Sequence, residues 1–253
     1  PYDLFSPHQD IISDRLLTLY NLPQLDKGII LVPIATLMHR VAPPEYLQSH
    51  CFSVKVGQSL NLDTLRLQLI QGGYYCVSQV REHGEFALRG SILDLFPMGT
   101  DRPIRIDLFD NIIDSLRYFD PQTQRSDEKI DDITILPAKE FPLTEESILQ
   151  FKTQWQKNFP NSPTTSPIYH GVVHKTPPAG IEYYLPLFFD HLVSLIDYLP
   201  QNSTLALIEN IYQAGEGFWN TAQNRYDQYA HDYERPILPL QQLFTPLNEL
   251  FAN

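Results

Sequence analysis

The chain has 253 residues, of which 43% are hydrophobic and 19% charged, and its formal net charge is −12. That length and apolar fraction exclude a disordered chain and favour more than one folded unit. So acidic a balance excludes non-specific nucleic-acid binding, which needs clustered Lys and Arg to release counterions from phosphates.

Proline is frequent (21 residues) and glycine scarce (11), a composition of several small units joined by stiff connections. No apolar run approaches the roughly 18 residues of a membrane helix, so no membrane contact is expected. The chain opens at Pro1 and reads as an excised piece without a signal peptide. Cys51 and Cys76 are too few for a disulfide framework or a four-cysteine zinc site, and a reducing, cytoplasmic compartment is expected.

In chain order, Ser6-Pro7 predicts a helix start, and Ile11, Ile12, Leu16, Leu17 and Tyr20 recur at helical spacing. The apolar run Gly28 to Ile34 reads as a strand buried on both faces, as in a parallel sheet, with a short helix from Ala35 to Val41. This piece resembles the tail of an α/β domain, and Pro43-Pro44 closes it. Cys51 to Gly57 alternates as a half-buried strand, and Asn61 caps a helix that ends at Gly72-Gly73. Strands are predicted at 74–80, 85–89, 91–96, 103–109, 112–119 and 129–136, an α+β module with a mostly antiparallel sheet. After Leu136-Pro137, Thr144 opens a helix to about Phe159 with Ile148, Phe151 and Trp155 on one face. Pro163 to Pro178 reads as a loop, Ile181 to Leu199 as an apolar stretch broken at Pro186, and Thr204 to Ile208 as a buried strand. Two helices follow, from Asn210 to about Glu234 and from Leu238 to Phe251.

No glycine is followed by lysine at P-loop spacing, and no dinucleotide fingerprint is present. His170 and His174 have i, i+4 spacing, but the intervening Gly171, Val172 and Val173 favour a solvated loop over a metal site. Cys51 and Cys76, on separate predicted strands, read as small buried hydrophobes. Glu145-Glu146 suit the first turn of a helix through its dipole. Asp131-Asp132 read as solvated turn or edge residues. No acid, base and activated nucleophile assemble, so no catalytic residue, metal or cofactor is expected.

The segment 103–109 carries more information. Its alternation sends Ile104, Ile106 and Leu108 to one face and Arg105, Asp107 and Phe109 to the other. The aliphatic face must be the core, because burying Arg105 and Asp107 without full pairing is costly. An outward Phe beside an Arg has the composition of a protein-binding hot spot; the alternative is a Phe covered by a neighbouring domain.

Arg89-Gly90-Ser91-Ile92-Leu93-Asp94-Leu95-Phe96-Pro97, followed by Arg105-Ile106-Asp107-Leu108-Phe109-Asp110 and Asp114-Ser115-Leu116-Arg117-Tyr118-Phe119-Asp120, resembles the UvrB-homology region of the bacterial transcription-repair coupling factor family. The opening Pro1 to Asp10 and the segment Pro177 to Tyr184 resemble it too. The resemblance implies a helicase-like domain split in sequence, with ends at residues 1–45 and 138–253, interrupted by a UvrA-binding α+β module at 46–137. It places the UvrA-contacting residues at Arg89, Arg105 and Phe109. Arg89 joins the other two only if its strand pairs with the next. Where UvrB ends a strand in Asp-Glu-x-His for magnesium and water, this chain reads Ile208-Glu209-Asn210-Ile211, which implies a non-catalytic lobe. RNA polymerase and DNA would be met only by domains absent from this chain. The competing readings are a fragment of a nucleotide-dependent DNA motor, a purely structural scaffold and a piece of UvrB.

Overall fold

The computed structural model describes residues 1–162, 164–208 and 210–251. In chain order the first elements are α1 (Gln9–Asn21), α2 (Ile34–Leu37), β1 (Arg40–Val41), α3 (Pro44–His50), β2 (Phe52–Lys55), α4 (Leu62–Gln71) and β3 (Tyr75–Cys76). Then come β4 (Glu85–Arg89), β5 (Ile92–Leu95), β6 (Ile104–Phe109), β7 (Ile112–Phe119), β8 (Ser126–Ile130) and β9 (Asp132–Ile135). The remainder is α5 (Glu145–Asn158), α6 (Pro167–Val173), β10 (Val193–Ser194), α7 (Ile211–Tyr229), α8 (Leu240–Leu243) and α9 (Leu247–Leu250). They divide into two compact units, one of Pro7–Tyr20 and Glu45–Leu143, the other of Pro1–Ser6, Asn21–Pro44 and Thr144–Asn253.

The first of these units is built on a six-stranded sheet of order β3-β4-β5-β6-β7-β8. Only the β3–β4 pair is parallel; the others are antiparallel. The predicted strand 74–80 shrinks to Tyr75-Cys76, and 129–136 divides at Asp131 into the end of β8 and β9, which pairs with β2 instead. Ile104 and Ile106 have no solvent exposure and Leu108 is buried, while Arg105 and Asp107 on the alternate positions are partly exposed. The β6–β7 turn is Asp110-Asn111, both with positive φ (47° and 67°), the conformation that lets a two-residue turn follow strand twist. Asp and Asn tolerate it better than most residues.

Asn61 Oδ1 accepts from the Thr64 N–H at 2.9 Å and starts α4, whose Leu65 and Leu69, one turn apart, are fully buried. Gly73, at φ +86°, ends it where any side chain would run into Lys139. Helix α1 is tied to this unit by polar contacts: Ser13 Oγ accepts from Gly99 N–H at 2.8 Å, and Arg15 pairs with Glu140 at 2.5 Å. The Tyr74 hydroxyl donates to the Leu136 carbonyl at 2.6 Å and accepts from Met98 N–H at 3.2 Å, joining three segments inside the core.

In the second unit Thr144 caps α5 by accepting from Ser147 N–H, and Ile148, Phe151 and Trp155 are buried as their spacing predicts. Phe151 packs on Phe188 (ring centroids 4.9 Å apart), and Trp155 stacks on Tyr184 at 6.0 Å. Along α7, Gly215 and Ala222 are buried, and a side chain at Gly215 would collide with Leu247.

Several expectations are corrected here. Gly28 to Ile34 forms no strand before α2 begins; Ile29 is 90% exposed and Leu31 82%. Thr204 to Ile208 likewise lies outside any strand and is exposed. Apolar β-branched runs become buried strands only when neighbours complete their ladders, and neither run is in a sheet. The sole sheet of this unit among the described residues is the antiparallel pair β1–β10, so the helicase-like parallel sheet does not appear. Helix α6 replaces part of the predicted 163–178 loop, because Pro167 occupies an early helical position where its missing N–H costs nothing. The helix expected over 238–251 is two short ones, interrupted where Pro246 cannot continue the first. Cys76 is exposed rather than buried, and Cys51 is partly buried.

Tyr74→Phe removes the hydroxyl that bonds both the Leu136 carbonyl and the Met98 N–H, and chemical denaturation is expected to show a loss of about 2 kcal/mol. Burial pushes the Cys51 thiol up to about 11. At pH 8 only about one part in a thousand of it is thiolate, so a disulfide reagent is expected to label exposed Cys76 quickly and Cys51 slowly, read as two phases.

Candidate functional site

Strands β4, β5 and β6 lie side by side, and their register decides which side chains meet. Asp94 on β5 is opposite Ala87 on β4 and Arg105 on β6. Arg89 on β4 is opposite Ile92, diagonally across from Asp94 on the same face. Arg89 and Arg105 therefore converge on one carboxylate.

Asp94 has no solvent exposure. Arg105 Nε donates to its Oδ1 at 2.6 Å and Nη2 to its Oδ2 at 2.9 Å, a bidentate pair. Arg105 Nη1 donates to the Gln124 carbonyl at 3.3 Å and to Ser126 Oγ at 3.1 Å. Its guanidinium also lies 5.0 Å from the Phe119 ring centroid. Only 18% of the Arg105 side chain is exposed. Hydrogen bonding to Asp94, and then the fields of Asp94 and Asp107, hold its pKa above the ordinary arginine value against the effect of burial. Arg89 Nη2 donates to Asp94 Oδ2, while half of the Arg89 side chain remains exposed.

Phe109 ends β6 beside the Asp110-Asn111 turn, and its ring is 71% exposed. It pairs with Ile112, which is 48% exposed, so the hairpin tip is apolar. Phe109 lies four positions along β6 from Arg105, about 13 Å at roughly 3.3 Å per residue. The three expected residues thus share one sheet face, with the arginines clustered and the phenylalanine set apart along the strand.

Reasoning from the sequence missed two features. Asp94 is one; its signal is an acid inside the apolar run Ile92-Leu93-Asp94-Leu95-Phe96, flanked by strands that each bear an arginine. The other is a lateral row in which Arg105, Arg117 and Lys129 follow Asp94 across β5 to β8. Arg117 Nε in that row is buried without an acceptor among the described residues. This is a concentration of positive charge on an acidic chain.

His170 and His174 lie at the end of α6 and stack at 3.9 Å, but no cluster of three or more metal-ligating side chains occurs among the described residues. Glu145 and Glu146 occupy the first turn of α5, where Glu145 meets Lys175 at 2.6 Å. Asp131 and Asp132 are exposed. Of the segment Ile208-Glu209-Asn210-Ile211, Glu209 lies outside the described residues, and Ile208 is 75% exposed. No helix among the described residues is long and apolar enough to cross a membrane.

Comparison with known proteins agrees with this sheet's position in the chain. Residues 52–141 match the UvrB interaction domain. The whole chain is 47% identical to a transcription-repair-coupling factor of Escherichia coli K12 and covers 22% of that protein's length. Over 99% of the chain it is 45% identical to the transcription-repair-coupling factor of Haemophilus influenzae, again covering 22%. A homologous factor from Staphylococcus aureus MRSA252 is 30% identical over 87% of the chain. Residues 52–141 are thus similar to the UvrB interaction domain, and the chain spans about a fifth of the length of the transcription-repair-coupling factors it matches.

Proposed function

We propose that this chain is a non-catalytic recruiting segment that docks UvrA through the Arg89–Phe109 edge of its six-stranded sheet in transcription-coupled nucleotide excision repair. The observation that carries this reading is the pairing of two arginines with one buried aspartate on the face that also exposes Phe109. Arginine forks match carboxylates on a partner, and an exposed aromatic supplies the apolar centre such contacts need. The local basic row supports an acidic complement on UvrA, because electrostatic complementarity steers encounter and suppresses wrong partners.

In the same reading residues 46–137 form the UvrA-binding module, and residues 1–45 and 138–253 contribute to a split helicase-like domain. The uncovered apolar runs at 28–32 and 204–208, of strand-like composition, support this. ATP-driven movement on DNA and contact with RNA polymerase belong to other parts of the longer protein, which works in the cytoplasm. The absence of a P-loop motif from this sequence supports the non-catalytic assignment.

Phe109→Ala is expected to weaken UvrA binding by about thirtyfold, roughly 2 kcal/mol, while leaving the melting temperature within a degree or two of the parent. Co-elution and titration with purified UvrA check this, and undiminished binding by the variant rejects the assignment. Calorimetric titration of the chain with magnesium-ATP is expected to release no heat; saturable binding would revive the motor reading.

A further inference from the structure

The two arginines of the patch are not equivalent, although both touch the same carboxylate. A guanidinium carries five N–H donors. Arg105 spends four of them inside the protein: Nε and Nη2 on Asp94, and both Nη1 donors on the Gln124 carbonyl and Ser126 Oγ. Its plane is further held against Phe119, and little of it is accessible. Arg89 spends one donor, on Asp94, and presents the rest of its fork outward. Asp94, with no exposure at all, cannot meet a partner directly.

We propose that Asp94 is the positioning residue of the patch, with Arg105 as its brace and Arg89 as the group that binds a carboxylate of the partner. The proposal rests on the UvrA reading above and refines it by assigning unequal roles. Arg105 neutralises and orients the Asp94 carboxylate from one side. Asp94 then fixes one Nη of Arg89 from the other, which aims the remaining donors of Arg89 at solvent. A fork held in one orientation loses less entropy on binding than a free one. The three side chains together carry one net positive charge, and its accessible part is on Arg89.

The test is a double-mutant cycle on UvrA affinity. Asp94→Asn keeps the shape and one acceptor but removes the charge that holds Arg89, and it is expected to weaken binding about tenfold in the parent chain. In an Arg89→Ala background the same change is expected to cost nothing further. Equal losses in both backgrounds would mean that Asp94 acts through the fold alone and would overturn the proposal. So would an Asp94→Asn chain that binds as tightly as the parent. Arg89→Lys, at a half-exposed position that does not threaten folding, retains charge without the fork and is expected to bind about tenfold more weakly; parental affinity would reject direct carboxylate recognition by Arg89. Proton exchange at the Arg105 side-chain Nε–H, followed by NMR without UvrA, separates the layers. Slow exchange in the parent that becomes fast in Asp94→Asn supports the brace, and fast exchange in the parent overturns it. If the exchange behaves as expected while the parent chain fails to bind UvrA, the UvrA reading falls, and with it the role given to Arg89.

Discussion

A carboxylate removed from water is tolerable only when its charge and its lone pairs are answered, and on this sheet Asp94 is answered by guanidinium groups from the strands on both sides. That requirement constrains much around it. It needs β4, β5 and β6 in one register, because a slip by a single residue would turn Arg105 toward the aliphatic core and bring Ile104 or Ile106 out. It also ties the sheet to the loop before β8, since Arg105 reaches the Gln124 carbonyl as well. The polar face is consequently a structural network first, and its capacity to bind depends on what that network leaves unused.

The same economy explains why the chain's acidity does not forbid an acid-binding surface. The net charge of −12 describes the whole molecule, whereas recognition is decided within about a Debye length, roughly 8 Å at physiological salt. Arg105, Arg117 and Lys129 occupy adjacent positions across β6 to β8, with Asp94 and Asp107 the acids that act on Arg105. A strand ladder thus gathers basic side chains locally on a chain that is acidic overall.

Much of the sheet was legible because half-buried antiparallel strands advertise both their faces. Ile104, Ile106 and Leu108 against Arg105, Asp107 and Phe109 is a pattern with one sensible arrangement, and Asn61 and Thr144 announce their helices through specific caps. Asp94 was hidden because a buried acid breaks the pattern, and only the arginines on neighbouring strands make sense of it. Local pattern failed where the outcome depends on distant partners. Gly28 to Ile34 and Thr204 to Ile208 have strand-like composition, but composition cannot supply the adjacent ladder. Pro246 was legible in principle, and the apolar periodicity around it concealed the interruption.

Those two uncovered runs have a practical consequence for anyone handling the chain. Ile29 to Leu31 and Leu205 to Ile208 expose aliphatic segments outside any sheet, to which another molecule can add a strand. Asp26 and Lys27 before the first run and Pro33 after it, and Glu209 directly after the second, are the sequence's gatekeepers against such growth. Concentrated samples are therefore exposed to slow self-association at these two runs, both far in sequence from the arginine cluster.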